Sequence, residues 1–184
     1  KVILTGGKAA IFEAMDASTG EYLFSIDMDM QNVFSEIDPR TGEKTMFPEA
    51  VLKPDEETPG LAKIGVCPDA LGARNMLTTS YNPITKMLYI PMQDTCINNL
   101  TGKRWQKYPN PAQDGLWGLV KAVNLETKEV VWTTRQVAPP ASGHLTTDTG
   151  LLFRGNIDRT FEAVDQSDGR VLWSQRLDNA PTSY

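Results

Sequence analysis

Ala163-Val164-Asp165-Gln166-Ser167-Asp168-Gly169-Arg170-Val171-Leu172-Trp173 is the stretch on which the fold turns. An apolar strand runs into Asp165, a tight turn follows, and a second apolar strand ends in Trp173. Asp and Asn side chains accept hydrogen bonds from backbone two residues on, and Gly supplies a positive φ at no steric cost, so the pattern is a β-hairpin. A second copy, Ala122-Val123-Asn124-Leu125-Glu126-Thr127-Lys128-Glu129-Val130-Val131-Trp132, puts Asn124 and Lys128 at the turn positions. A third, Ala14-Met15-Asp16-Ala17-Ser18-Thr19-Gly20-Glu21-Tyr22-Leu23-Phe24, closes on Phe instead of Trp. The two later copies are 41 residues apart, the length of a four-stranded propeller blade. The two earlier copies are 108 apart, so an insertion or an irregular blade lies between them.

Two weaker hairpin signals fall in that gap, Ile37–Gly42 and Ser80–Ile90. Helical periodicity is absent, and Pro54 and Pro59 argue against even a short helix near Lys53–Ala62. Two excursions, Phe47–Lys63 and Asn98–Leu116, are rich in Pro with Glu or with Asn and Gln, and read as surface loops. The architecture expected is all-β: a partial β-propeller of about four blades, too few to close a ring. The opening Lys1–Gly7 reads as the middle of a strand, and Asn179–Tyr184 ends without a cap. Both ends read as cut, so residues 1–184 are expected to be part of one larger domain.

Composition narrows function mainly by exclusion. The net charge of −5 and scattered basic residues argue against nucleic acid, whose phosphates need clustered Lys and Arg. No apolar run approaches the roughly 20 residues a membrane-spanning helix needs. One histidine, His144, and two cysteines, Cys67 and Cys96, are too few for a usual Cys/His zinc site, and a Ser-His-Asp triad would have to use His144. The cysteines are 29 apart, which fits neither a CxxC redox motif nor a zinc ribbon. Two readings stand at this point: a pair of buried free thiols, or a structural disulfide. Asp27 and Asp29, two apart on a strand, could share a face as a metal pair or form a solvated edge. Asn99-Leu100-Thr101 fits a glycosylation sequon, a frequent accident.

With the hairpin repeats, the cysteine pair and Lys8 together, the chain resembles the pyrroloquinoline quinone (PQQ) dependent alcohol and methanol dehydrogenases. The repeats resemble that family's tryptophan-docking motif, in which the Trp of one blade packs on the next. Trp132 and Trp173 fit it, and Phe24 departs conservatively. The resemblance implies the C-terminal side of an eight-bladed propeller. Lys1–Glu21 resembles a family strand and hairpin in which an Arg or Lys faces the cofactor's ortho-quinone, and Lys8 stands at that position, with Ala9-Ala10 replacing the usual Asn-Gly. Val66-Cys67-Pro68-Asp69-Ala70-Leu71-Gly72-Ala73-Arg74-Asn75 resembles the family's Cys-Pro-x-x-x-Gly-x-x-Asn, whose Asn contacts PQQ and maps onto Asn75. Met76 follows where a Trp is frequent. The separation of Cys67 and Cys96 matches the family's disulfide, which tips the choice toward a bridge and a bacterial periplasmic setting.

What the resemblance implies for chemistry is specific. Negative charge develops on a quinone as it accepts electrons, and a fixed cation beside its oxygens stabilises that charge. Lys8 is the residue placed to supply it; without the resemblance it reads as an exposed strand lysine. Asn75 can donate and accept around a polar cofactor rim, or serve only the turn after Gly72. His144 lies where the family brings a strand near the cofactor, with Ala141 near a position where the family has an aromatic; His144 itself reads as structural. The catalytic Asp and the ligands of the calcium or lanthanide ion precede the Lys8 position in the family, so none maps onto this chain. The expected partners are an alcohol substrate, the rest of the propeller and a cytochrome c or similar electron acceptor. The alternative is a PQQ-free propeller scaffold for protein binding, of the outer-membrane assembly type.

Overall fold

The computed structural model describes residues 1–48, 50, 63–99, 105–113 and 115–182. Among them the chain forms β1 (Val2–Gly6), β2 (Ile11–Asp16), β3 (Tyr22–Asp27), β4 (Phe34–Ile37), β5 (Lys44–Met46), β6 (Lys63–Val66), β7 (Ser80–Asn82) and β8 (Met87–Gln93). There follow β9 (Thr95–Asn99), β10 (Trp105–Pro109), β11 (Gly118–Asn124), β12 (Glu129–Gln136), β13 (Leu145–Thr146), β14 (Leu151–Gly155), β15 (Thr160–Asp165) and β16 (Val171–Arg176). A single 3₁₀ turn, Pro111–Gln113, is the sole helical element among the described residues. The fold is all-β, and every pairing between these strands is antiparallel.

The strands group into two compact units, Lys1–Asn75 with Asp94–Ala112, and Met76–Gln93 with Gln113–Tyr184. The first holds three small sheets, ordered β1-β2-β3, β4-β5 and β10-β9-β6. The second holds two four-stranded sheets, ordered β12-β11-β8-β7 and β13-β14-β15-β16. The wide gap between the first two repeats thus has a physical origin. β8 and β11 are neighbours in one sheet, and the 94–112 stretch between them folds into the other unit, where β9 pairs with both β6 and β10. The expectation of a loop over Asn98–Leu116 is corrected there. Trp105–Pro109 form a strand because each residue finds a backbone partner across Thr95–Asn99, and Tyr108 bonds Asn98 at 3.2 Å; no period-2 apolar pattern announces it. The other excursion, with Lys53–Ala62, lies largely outside the described residues.

The hairpin reading holds at atomic detail in five places. Asp16, Asp38, Asn82, Asn124 and Asp165 each accept backbone N–H bonds on Oδ1 from the residues two or three further on. Four residues after each stands a residue with positive φ: Gly20 at 76°, Gly42 at 75°, Lys86 at 59°, Lys128 at 65° and Gly169 at 77°. The ladder also slips one residue at Ala14/Met15, Ala122/Val123 and Ala163/Val164, the same place in all three repeats. The alanine is small enough to sit beneath this bulge, and all three are buried.

Within the second unit the sheets pack through their repeats. Met87, Tyr89, Val120, Ala122, Leu152 and Val164 form a core against which Trp132 lies. The Trp132 indole Nε1–H donates to the Gln166 carbonyl at 3.0 Å. Gly169 leaves room for the same ring: a Cβ there would approach Trp132 Cε3 to 2.9 Å. Gln166 is the polar hub. Its Nε2 donates to the carbonyls of Thr147 and Leu151, and its Oε1 accepts from Asn82 and Tyr89. A Trp from one sheet therefore rests on the hairpin turn of the next, as the repeat pattern requires.

Candidate functional site

The Lys8 corner is built from the end of β1. After Gly6 the chain turns through residues 7–10, closed by Ala10 N–H donating to the Gly7 carbonyl at 3.1 Å. Ala10 sits at φ 58°, in the left-handed region where a Gly would be at ease. That is where the sequence departs from Asn-Gly, and the turn is made nonetheless. Lys8 is exposed, and its ammonium donates to the Ala70 carbonyl at 2.9 Å.

The second half of the corner is the loop 67–75. Cys67 and Cys96 form a disulfide with their Cα atoms 4.3 Å apart, fixing the start of the loop to β9; the Cys67–Pro68 peptide is cis. The loop then grips the Lys8 turn at three points. Besides the ammonium bond, Ala73 N–H donates to the Lys8 carbonyl at 2.9 Å. Gly72, at φ 86°, lies so close that a Cβ would be 2.5 Å from Lys8 Cβ. Arg74, two residues after Gly72, donates from Nη1 to the Gly6 carbonyl at 2.7 Å and lies over the Phe12 ring, 5.6 Å from its centroid. Burial pushes the guanidinium pKa down from its ordinary value, and its Nε finds no partner among the described residues. Asn75 is exposed, and its carboxamide is engaged by no described residue. The sequence-predicted residues thus converge: Lys8, the cysteine pair and the loop ending in Asn75 form one assembly.

Three participants escape a motif-based reading. Asp69 is buried, with its Oδ1 accepting from Leu71 N–H at 2.7 Å and Gly72 N–H at 3.2 Å. Its Oδ2 accepts from Thr95 Oγ1 at 3.0 Å and pairs with Lys107 Nζ at 2.8 Å. Asp69 takes the N–H groups two and three residues on, as the hairpin Asx residues do, with its Gly one residue nearer than theirs, so a turn at Asp69 was within reach. Nothing in the sequence pairs it with Lys107, and nothing marks Arg74.

The remaining candidates do not join this corner. Asp27 accepts from the Asp29 backbone N–H and from Gln31 Nε2, so it closes a turn, and no group of His, Cys, Asp and Glu fit for a metal occurs among the described residues. His144 belongs to the second unit, where its backbone N–H donates to the Thr78 carbonyl at 3.2 Å. Its ring is buried, neither nitrogen has a partner among the described residues, and burial, helped by the Arg154 charge, pushes its pKa down to about 3. Ala141 is held by the Gly155 carbonyl and offers no aromatic face. Of the sequon, Leu100 and Thr101 lie outside the described residues.

The donors at this corner are of the kind that suits a polar, anionic group. An exposed ammonium held by a carbonyl and by no carboxylate among the described residues, an unengaged carboxamide and a second, half-buried cation form a donor set for such a ligand. A planar quinone bearing oxygens fits these donors in kind.

Comparison with known proteins gives this chemistry a context. Residues 117–183 match a family model described as outer membrane protein assembly factor BamB. The chain is 26% identical over 176 residues to a lanthanide-dependent methanol dehydrogenase of Methylacidiphilum fumariolicum, covering 89% of the chain and 28% of that protein. It is 26% identical to subunit 1 of a methanol dehydrogenase [cytochrome c] of Methylobacterium organophilum, covering all of the chain and 31% of that protein. A europium-containing methanol dehydrogenase superposes with a TM-score of 0.85 at 23% identity, over 97% of the chain and 32% of that structure. The fold is therefore that of a stretch of a dehydrogenase β-propeller. The chain's homologues are methanol and alcohol dehydrogenases of the PQQ-dependent family, and it spans about a third of their length or less.

Proposed function

We propose that the chain is the C-terminal-side part of a PQQ-dependent dehydrogenase that oxidises an alcohol or related hydroxyl compound. The observation that carries this reading is the Lys8 corner, where the loop 67–75 presents Asn75 and holds the Lys8 ammonium at the end of β1. PQQ, when bound, supplies an ortho-quinone able to accept a hydride from the alcohol. Lys8 would hold positive charge beside its oxygens, where negative charge develops, and Asn75 would bond the polar rim. The loop's backbone holds the Lys8 turn through Ala70 and Ala73, and the disulfide fixes the loop's entry. On this reading the catalytic Asp and the ligands of a calcium or lanthanide ion come from residues ahead of Lys1. Electrons leave to a cytochrome c or similar carrier. The disulfide favours a periplasmic location, since such bonds persist in oxidising compartments.

The test is Lys8→Ala in the full-length protein, read by steady-state alcohol oxidation with an artificial acceptor and by PQQ content. Loss of one such electrostatic contact costs about 3 kcal/mol, or roughly 100-fold in turnover. Lys8→Arg should retain more activity, although the two cations differ in geometry. Near-wild-type turnover by Lys8→Ala with PQQ bound would remove Lys8 from the site.

A second reading, a PQQ-free scaffold for protein binding, draws on the family model that matches residues 117–183. That match covers the two tryptophan-bearing repeats and leaves out the Ala14–Phe24 copy and the Lys8 corner. Full-length protein that takes up no PQQ, and carries no acidic ligand set ahead of Lys1, would favour the scaffold.

A further inference from the structure

We propose that Asp69 is a positioning residue for Lys8, acting through the turn 69–72. It deepens the dehydrogenase reading and rests on it for any effect on turnover.

A carboxylate withdrawn from water must be matched by donors, or its burial is costly. Asp69, with a side chain 1% exposed, is matched by four. The division of labour between its oxygens matters. Oδ1 takes the backbone N–H groups of Leu71 and Gly72, which closes the turn that projects the Ala70 carbonyl toward Lys8 Nζ. Oδ2 takes the Thr95 hydroxyl on β9 and the Lys107 ammonium on β10, which anchors that turn to the β10-β9-β6 sheet. The backbone adds its own tie, Asp69 N–H to the Thr95 carbonyl at 2.9 Å, one residue from Cys96. Asp69 thus carries the fixed position of the sheet to the loop atoms that touch Lys8. Those atoms are the Ala70 carbonyl, the Ala73 N–H and Gly72 Cα. The disulfide fixes only the entry of the loop, two residues earlier. The orientation of the Lys8 ammonium is set by the Asp69 carboxylate.

The experiment uses full-length protein without PQQ, so that its readout is independent of cofactor chemistry. Lys8 acetylation by an N-hydroxysuccinimide ester is followed by mass spectrometry, with Lys44 as internal control because it pairs with Glu13 away from the loop. In Asp69→Asn, Oδ1 remains an acceptor for the turn, but an amide faces Lys107. Lys107→Met leaves the turn bonds and removes the anchoring cation. Both variants are expected to acetylate Lys8 several-fold faster than wild type with Lys44 unchanged, and Asp69→Ala faster still. With PQQ restored, kcat should fall while KM for the alcohol holds. An unchanged Lys8 rate in Asp69→Asn and Lys107→Met, in folded protein with the disulfide formed, overturns the proposal. A raised Lys8 rate with unaltered kcat supports the positioning role and takes down the catalytic reading of Lys8 instead.

Discussion

The two units hold themselves together by different means. In the second, four-stranded sheets meet through a repeated device: Trp132 lies on the turn of the next hairpin, bonded to Gln166 and seated over Gly169. Its tryptophan and its Asx turn recur along the chain, at Trp132 and Trp173 and at Asn124 and Asp165. In the first, the Lys8 corner relies on contacts that occur once: a disulfide, a buried carboxylate paired with Lys107, and Arg74 reaching back to Gly6. Repetition makes a scaffold, and the singular contacts make a site on it. Loss of a docking contact should therefore cost stability, and loss of a corner contact should loosen one loop.

The largest stability effect is expected at Trp132. Removing a large aromatic from a packed site costs about 3–5 kcal/mol, and here the Gln166 carbonyl also loses its indole donor. Trp132→Ala should lower the denaturation midpoint of the full-length protein accordingly, with faster amide exchange across β8, β11 and β15. Undisturbed exchange there would mean that the tryptophan is not what joins the sheets.

The disulfide comes next. By the loop-entropy estimate, a ring of this size stabilises by about 3.5 kcal/mol. The double variant Cys67→Ala/Cys96→Ala should lose roughly that much, and its faster exchange should centre on the loop entry, at the amides of residue 67 and Asp69. Equal loosening of both units would erase the contrast between them. Thiol labelling of the unreduced, denatured wild type should find neither cysteine.

The contrast also explains what the sequence disclosed. The docking hairpins were legible because their geometry is local: an Asx side chain, a positive-φ residue four later, and a bulge at alanine all lie within a few residues. The strand Trp105–Pro109 was not, because it owes its form to pairing with β9 and has no alternating pattern of its own. Within the corner, Lys8, Asn75 and the cysteines came from resemblance. Asp69 carries a local turn signal, a glycine three residues on, that differs by one residue from the hairpin spacing. Its partner Lys107 lies 38 residues on and could be found only in three dimensions. The Arg74 contact with Gly6 is of the same long-range kind.

A pH effect should belong to the second unit. His144 has its pKa lowered to about 3 by burial and by Arg154, so the unfolded chain takes up a proton between about pH 6.5 and 3 that the folded chain refuses. Its contribution to stability is full above pH 6.5 and falls by about 1.4 kcal/mol per pH unit on acidification. His144→Leu should flatten that slope and cost little at pH 7, because neither ring nitrogen has a described partner to lose. Urea unfolding at pH 7 and pH 5 measures both; identical slopes for the two proteins would mean that the ring is protonated when folded.

The finest comparison sets Gly20 against Gly169. Both close the same kind of hairpin turn, at φ 76° and 77°, so both demand the left-handed conformation equally. An alanine at either position should cost about 1 kcal/mol for that reason alone. Their surroundings differ. Nothing lies within 4 Å of a Cβ built on Gly20, whereas at Gly169 it would meet Thr134 Cγ2 at 2.6 Å and Trp132 Cε3 at 2.9 Å. Gly169→Ala must then push the indole off its seat or shift the turn, adding about 1–3 kcal/mol of overpacking. Gly20→Ala should stay near the conformational cost. Denaturation midpoints of the two variants provide the measurement. A matching loss would show that the seat has slack, and that Trp132 holds the sheets through its hydrogen bond to Gln166 more than through its fit.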